Sequence, residues 1–300
     1  MSFLAYAFGG RDILATPVSA ADVERIGVST QCTSNDWQRI HTWSRAGEAD
    51  FDVAYASNAE EVRHGRSDSS FDGSVELDWI SNSRVGLCQH HDGDEPSFDP
   101  NWTLTTSLTV EASDYFQDIG GDSGDAQLGF NYSHRIGDGV TDNHTFQTHV
   151  SLGLANTIAY DGFFEDWSFS SHNLSLAVDH DFVARESGGI SANVTLGTVW
   201  VNPDDASYSY AQAGITGTIK DIGLGVGLEI DVTAAYRRYA SVHPEREDHI
   251  YALDVIFSHA ITENAELQLD LGFKQRDSSL SADDFHSYNV PFTLVLKHSF

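Results

Sequence analysis

The sequence predicts an all-β fold made of long antiparallel strands, and three features of the chain support that prediction. From about residue 100 onward, apolar and polar residues alternate, which places successive side chains on opposite faces of a strand. Many of these runs reach about ten residues or more, longer than the five or six that are usual in soluble sandwiches. Convincing helical periodicity is absent from this part of the chain.

The clearest strand pattern covers residues 222–236, where apolar residues at even positions alternate with Gly223, Gly225, Gly227, Glu229 and Asp231 at odd ones. The same period of two recurs along the chain. In chain order, the further predicted strands cover residues 51–55, 75–79, 85–87, 102–112, 126–132, 146–158, 174–182, 190–200, 206–220, 251–257, 267–273 and 288–300.

The connections between these strands differ in length from one side to the other. They are short at 185–188, 220–221 and 262–264, intermediate at 114–124 and 161–166, and long at 237–249 and 275–286. This arrangement predicts an antiparallel up-and-down transmembrane β-barrel of about 12 strands counted from residue 71, or 14 if the preceding segment adds two. Pro291 alone intrudes on a strand and must occupy a weakly paired position there. The alternative is a soluble, secreted β-sandwich or β-helix.

Composition excludes several classes of function. The 300 residues carry 45 acidic and 16 basic side chains, a formal charge of −29. Nucleic acids and anionic membrane surfaces both need clustered Lys and Arg, so neither is expected as a partner. No apolar stretch is long enough for a transmembrane helix, but barrel strands barely register in hydropathy.

The C-terminus carries a family resemblance. The chain ends on SYNVPFTLVLKHSF, in which Phe292, Leu294, Leu296 and Phe300 alternate with other residues, while His298 departs from the apolar pattern. This ending resembles the assembly signal of bacterial outer-membrane β-barrels. Ala54–Asn58 and Arg237–Tyr239 are similar to segments of porin-like barrels and of barrels of the surface-lipoprotein assembly modifier type, and no motif separates the two.

The resemblance implies a location in the Gram-negative outer membrane, with membrane lipid, lipopolysaccharide and the barrel-assembly machinery as partners. It covers residues 49–300 and leaves residues 1–48 as an N-terminal segment. Residues 1–20 resemble a degenerate signal peptide, and the remainder is expected to form a periplasmic tail or a plug. The three-residue spacing of Trp37, Ile40 and Trp43 is compatible with a short helix but more often indicates a locally packed turn. Placing Phe300 on the periplasmic side directs the 237–249 and 275–286 loops outward.

A lipid-facing apolar face places charged residues inside the barrel. The predicted pore residues are Glu76, Asp78, Glu111, Asp179, Glu229, Asp231, Asp270 and Lys274. Carboxylates lining a passage favour cations, so the sequence predicts a passive, cation-preferring pore for an unknown small solute. Small residues such as Ser151, Gly153, Ala155, Gly223, Gly225 and Gly227 leave room in the lumen.

Two other functions stay open at this stage. The first is a non-conducting barrel for anchoring, assembly or surface display, in which charged side chains pair across the lumen and fill it. The second is an outer-membrane lipid hydrolase, for which His134, His172 and His180 have Ser133, Ser171 and Ser175 nearby in sequence. No catalytic motif supports the hydrolase, so no enzymatic activity is predicted.

No cofactor and no resident metal are predicted. The segment from His90 to Glu95 and the acidic loop with Asp118, Asp122 and Asp125 could hold calcium, but solvated acidic loops explain both better. Cys32 and Cys88 are the only cysteines, and their pairing stays open.

Overall fold

The computed structural model describes residues 37–56, 68–89, 97–115, 123–141, 144–161, 166–185, 187–202, 207–239, 246–262, 264–280 and 284–299. These residues form thirteen β-strands: β1 Trp37–Ala56, β2 Asp68–Gln89, β3 Ser97–Tyr115, β4 Ser123–Thr141, β5 His144–Asp161, β6 Asp166–Arg185, β7 Gly188–Asn202, β8 Tyr208–Ile219, β9 Val226–Tyr239, β10 Glu247–Thr262, β11 Ala265–Ser278, β12 Phe285–Asn289 and β13 Phe292–Ser299. Within this part of the chain, no helix is long and apolar enough to cross a membrane.

The strands belong to a single antiparallel sheet whose pairings return to the first strand. Each strand from β1 to β10 pairs with the next one in sequence, and β10 pairs with β11. The strands β12 and β13 both pair with β11 on one side and with β1 on the other, so the ladder of pairings is cyclic. Because β12 and β13 occupy one position, thirteen segments fill twelve positions. The prediction of an up-and-down barrel of about 12 strands is confirmed.

Proline explains the break in the last strand. Val290 and Pro291 separate β12 from β13, and the Pro291 carbonyl accepts a hydrogen bond from the Asp270 amide at 3.1 Å. Proline has no amide proton to donate to a ladder, so the strand loses its regular pairing there. The weakly paired position expected for Pro291 is therefore confirmed.

Three sequence-based strand limits were wrong. The separate strands predicted at 75–79 and 85–87 form one strand, β2, whose residues 68–87 pair with β1. The strand predicted from residue 222 begins at Val226, because the Asp221 carboxylate accepts hydrogen bonds from the amides of Gly223 and Gly225 and holds residues 221–225 in a turn. Trp37, Ile40 and Trp43 lie in β1 and not in a helix. β1 thus starts ahead of residue 49.

The two faces of the sheet differ in polarity. Large apolar side chains are exposed at every second position of most strands, as in Leu152 and Leu154 of β5 or Leu174, Leu176 and Val178 of β6. The described residues that are buried and apolar are few: Ile80, Tyr208, Tyr210, Tyr239, Ile250, Phe285 and Val295. A water-soluble protein would bury its apolar face and would not expose it in this way. The apolar face is the outer one and the polar face lines the interior.

The two ends of the barrel differ in their connections. The loop end carries the connections 57–67, 116–122, 162–165, 203–207, 240–246 and 279–284, and the turn end carries 90–96, 142–143, 186–187, 220–225 and 263–264. Strand pairing brings parts of the chain that are distant in sequence together at each end. At the loop end, the end of β9, the beginning of β10 and the end of β11 lie side by side.

Candidate functional site: the interior of the barrel

Seven of the eight predicted pore residues occupy interior positions of the sheet; the eighth, Glu111, lies on β3, and its side chain is outside the described part of the structure. Glu76 and Asp78 alternate with the exposed Val75, Leu77 and Trp79 on β2. The same alternation places the others on the inner face, which is opposite the exposed apolar residues of each strand: Asp179 on β6, Glu229 and Asp231 on β9, and Asp270 and Lys274 on β11. Their role in a pore stays a prediction.

Strand pairing gathers acidic residues into a row across the first four strands. Glu48 of β1 is paired with Glu76 of β2, Glu76 with Glu111 of β3, and Glu111 with Asp125 of β4. Sequence analysis missed two members of this row. It assigned Glu48 to the N-terminal segment and Asp125 to a loop, because the alternation around both residues is weak.

A second acidic group lies on β9, β10 and β11. Asp231 of β9 is paired with Asp254 of β10. Ile256 of β10 is paired with Glu229 of β9 on one side and with Asp270 of β11 on the other. Asp231 is held in place by hydroxyl groups: Thr216 donates to Oδ1 at 2.7 Å and Thr233 to Oδ2 at 3.1 Å. Asp254 was not among the predicted pore residues, because a single polar residue between Leu253 and Val255 forms no recognisable motif.

Cationic and aromatic side chains meet at the loop end of the interior. We call this group the cationic rim; it comprises Tyr208, Arg237, Tyr239, Arg246, Lys274, Arg276 and Phe285. The guanidinium of Arg246 lies 4.3 Å from the ring centre of Tyr239, and that of Arg276 lies 4.6 Å from the ring centre of Phe285. Lys274 was predicted as an interior charge from the sequence, but the aromatic rings beside it were not, because strand pairing alone brings β8 to β12 together.

A buried ion pair anchors the cationic rim. Arg246 contacts the fully buried carboxylate of Asp248 at 2.9 Å, and the Ser278 hydroxyl donates to the same carboxylate at 2.6 Å. The Ser278 amide donates to Asp284 at 2.6 Å. These contacts join β10 and β11 to the connection that precedes β12, so the loop end of these strands is fixed by polar contacts.

Small residues allow other side chains to lie across the inner wall. Ser151, Gly153 and Ala155 occupy interior positions of β5, as predicted. A Cβ atom added at Gly197 would come within 2.6 Å of the Tyr210 ring, so this ring lies directly over the glycine. The Tyr210 hydroxyl donates to Asn173 at 3.3 Å. The expectation that Gly223 and Gly225 line the lumen is wrong, because both lie in the turn before β9.

The serine and histidine neighbours do not come together as catalytic pairs. Ser133 and His134 are consecutive strand residues and therefore point to opposite faces, as do Ser171 and His172. His172 is hydrogen-bonded to Asn156 at 2.7 Å and His180 to Thr148 at 2.8 Å. The geometry of these pairs gives no support to a hydrolase.

Other sequence-based expectations fall partly or wholly outside the described residues. These are Cys32, the segment from His90 to Glu95, Asp118, Asp122 and Phe300. Among the residues that are described, no group of three or more His, Cys, Asp or Glu side chains could hold a metal ion. Phe292 and Leu296 are exposed on the outer face of β13, and the assembly signal to which they belong stays a prediction.

Comparison with known proteins gives similarity of fold only. No protein-family model and no curated protein matches the chain. Among solved structures, an outer membrane channel from Pseudomonas putida F1 is similar at 12% identity and a TM-score of 0.47, over 85% of this chain and 95% of the other. A bacterial polysaccharide outer membrane secretin gives 9% identity and a TM-score of 0.47, over 84% and 98%. The KdgM porin in complex with disordered oligogalacturonate gives 9% and 0.42, over 84% and 99%. Similarity at this level identifies neither a family nor a solute.

Proposed function

We propose that this chain is a bacterial outer-membrane β-barrel that forms a passive, cation-preferring pore. The observation that carries the proposal is the division of the cyclic sheet into an apolar outer face and a polar inner face, whose described charged residues are mostly acidic. A closed sheet satisfies its own backbone hydrogen bonds, which is the condition for crossing a bilayer with strands. Soluble barrels of this size place their apolar side chains inside.

Aromatic residues on the outer face support the membrane assignment. Trp102 and Tyr132 lie side by side near the turn end, with ring centres 6.1 Å apart. Trp167 and Trp200 are about half exposed near the loop end. Aromatic girdles at the two water interfaces are typical of outer-membrane barrels. We infer from the C-terminal resemblance that the turn end faces the periplasm and the loop end faces outward.

The balance of interior charge supports the cation preference. Among the described side chains, interior acidic residues include Glu76, Asp78, Asp125, Asp179, Asp181, Glu229, Asp231, Asp254, Glu266 and Asp270, whereas interior basic residues are Arg84, Arg135, Arg237, Arg246, Lys274 and Arg276. Fixed carboxylates along a water-filled path raise the local concentration of cations and exclude anions.

Ion selectivity in planar bilayers tests the proposal. In a KCl gradient, the native chain is expected to give a reversal potential with the sign of a K⁺-selective pore. The double variant Glu229→Gln/Asp231→Asn is expected to have a lower cation-to-anion permeability ratio. A charge about 8 Å from a passing ion in water changes its energy by about 0.5 kcal/mol, so a roughly twofold effect per charge is expected.

Asp277→Asn is the matched control, because Asp277 lies on the outer face of β11 and is exposed. It is expected to leave the permeability ratio unchanged. Absence of ion flux, or an unchanged ratio in the Glu229/Asp231 variant, would contradict the pore.

A non-conducting barrel is the second candidate, and buried interior residues favour it. Thr157 and Thr195 are only 3% and 8% exposed, and Gln127 donates to Thr157 across the β4–β5 pair at 3.3 Å. Twelve strands lie between barrels filled by side chains and barrels with an aqueous channel. A folded barrel that never conducts would favour anchoring, assembly or display.

A further inference from the structure

We infer that the cationic rim is a binding site for small organic carboxylates at the loop end of the interior. The inference deepens the proposed function, on which it rests for the route by which a solute reaches the interior. The site is built from five strand positions that are distant in sequence: Tyr208 begins β8, Arg237 and Tyr239 end β9, Arg246 precedes β10, Lys274 and Arg276 end β11, and Phe285 begins β12.

The cationic side chains of the rim are close to one another. The Lys274 ammonium and the Arg276 guanidinium lie 5.8 and 4.6 Å from the centre of the same Phe285 ring. Arg237 lies 5.0 Å from the centre of the Tyr208 ring, and Tyr208 packs on Tyr239 with ring centres 5.4 Å apart. Arg246 lies over the ring of Tyr239, 4.3 Å from its centre.

Among the described residues of the rim, basic side chains outnumber acidic ones. Arg246 pairs with the carboxylate of Asp248, and Asp284 accepts a hydrogen bond from the nearby Ser278 amide. The whole chain has 45 acidic and 16 basic residues. A cluster of four basic residues is therefore unusual for this chain. Arg237, Lys274 and Arg276 are partly exposed on the inner face of the barrel.

The rim is preorganised before any solute arrives. Stacking on aromatic rings restricts each guanidinium, and the buried Arg246–Asp248 pair fixes the neighbouring backbone. Less side-chain freedom then remains to be lost on binding, which favours affinity. Guanidinium groups match planar carboxylates in charge and in hydrogen-bond geometry, and this determines the ligand class.

The position of the acidic residues explains why a carboxylate would stay at the rim. On the same strands, Asp231 and Asp270 lie farther toward the turn end than Arg237 and Lys274. At about 3.3 Å per residue, Lys274 and Asp270 are about 13 Å apart along β11. An anionic solute is therefore attracted at the rim and repelled by the acidic residues nearer the turn end of β9 and β11.

Calorimetric titration of the full chain in detergent micelles tests the site, with succinate as the probe and succinamide as its uncharged counterpart. Succinate is expected to bind and succinamide to bind at least tenfold more weakly. In Arg237→Gln/Arg276→Gln, succinate affinity is expected to fall at least tenfold. Arg238→Gln is the matched control, because Arg238 is the next residue of β9, lies on the outer face and is paired with Glu247 at 3.9 Å.

Lys274→Gln, which retains both arginines, is the second variant if the double variant does not fold, and a loss of succinate affinity is again expected. Equal succinate binding by native and variant chains would overturn the inference, as would inorganic phosphate binding more tightly than succinate. Because calorimetry needs no ion flux, the two proposals can fail separately. If succinate binds but no conductance is found, the proposed pore is contradicted and the binding site is retained. If the chain conducts but does not bind succinate, only the proposed binding site is contradicted.

Discussion

At the scale of single residues, Gly188 shows how one position sets the geometry of a strand pair. Its φ of +150° is a conformation that residues with a side chain rarely adopt, and an added Cβ would overlap the Thr218 carbonyl oxygen on β8. Gly217, which faces the same strand pair from β8, has open space around an added Cβ. The two glycines therefore differ in what they tolerate, although both lie in the β7–β8 ladder.

Gly188→Ala is expected to destabilise the folded barrel by about 2 kcal/mol or more, because backbone strain and a steric overlap with backbone add together. Guanidinium unfolding in detergent, followed by circular dichroism, measures the change. Gly217→Ala is the control and is expected to stay close to the native midpoint. Equal midpoints for the two variants would refute the steric role of Gly188.

At the scale of elements, β1 is the strand that completes the sheet. Residues Trp37 to Glu48 pair with residues Leu87 to Glu76 of β2, and residues 46–53 pair with β13. A chain that begins at residue 49 would lose the first of these ladders. The sequence-based boundary at residue 49 followed the apolar alternation of Phe51, Val53 and Tyr55, but the strand continues upstream where the alternation is weak.

Removal of residues 1–48 is therefore expected to prevent folding, whereas removal of residues 1–36 retains every described β1 pairing. Refolding of both truncated chains into detergent, followed by protease protection of the strands, gives the comparison. Protection of the chain starting at residue 49 to the same extent as the chain starting at residue 37 would show that the first half of β1 is dispensable.

At the scale of the whole molecule, the cyclic sheet exposes its apolar face. Strand pairing satisfies the backbone hydrogen bonds all the way around the cyclic sheet. Stability therefore depends on keeping these pairings intact and on removing the apolar outer face from water. The protein is expected to need detergent for solubility. It is also expected to migrate faster in gel electrophoresis before boiling than after it, because a closed sheet resists unfolding by the detergent. Solubility without detergent would contradict the membrane assignment.

The fold could be predicted from sequence to the extent that side chains alternate. Period two along β5, β6 and β7 is unambiguous, and these strands lie where the pattern places them. Alternation fails as a guide where polar residues occupy both faces, as in the turn-end half of β2, and two strands were predicted there instead of one. It also fails at Gly223 and Gly225, where a side-chain carboxylate stabilises a turn within a sequence that alternates.

The interior site could likewise be predicted from the sequence only in part. Which residues share a face follows from the local pattern of side chains, because the strand period is a local property, and that pattern predicts Glu229, Asp231, Asp270 and Lys274 inside the barrel. Which of these residues lie next to one another depends on the pairing of the strands. Strand register set Glu48 beside Glu76 and brought Arg246 onto Tyr239. Register depends on pairing between segments that are distant in the chain, and no local pattern contains it.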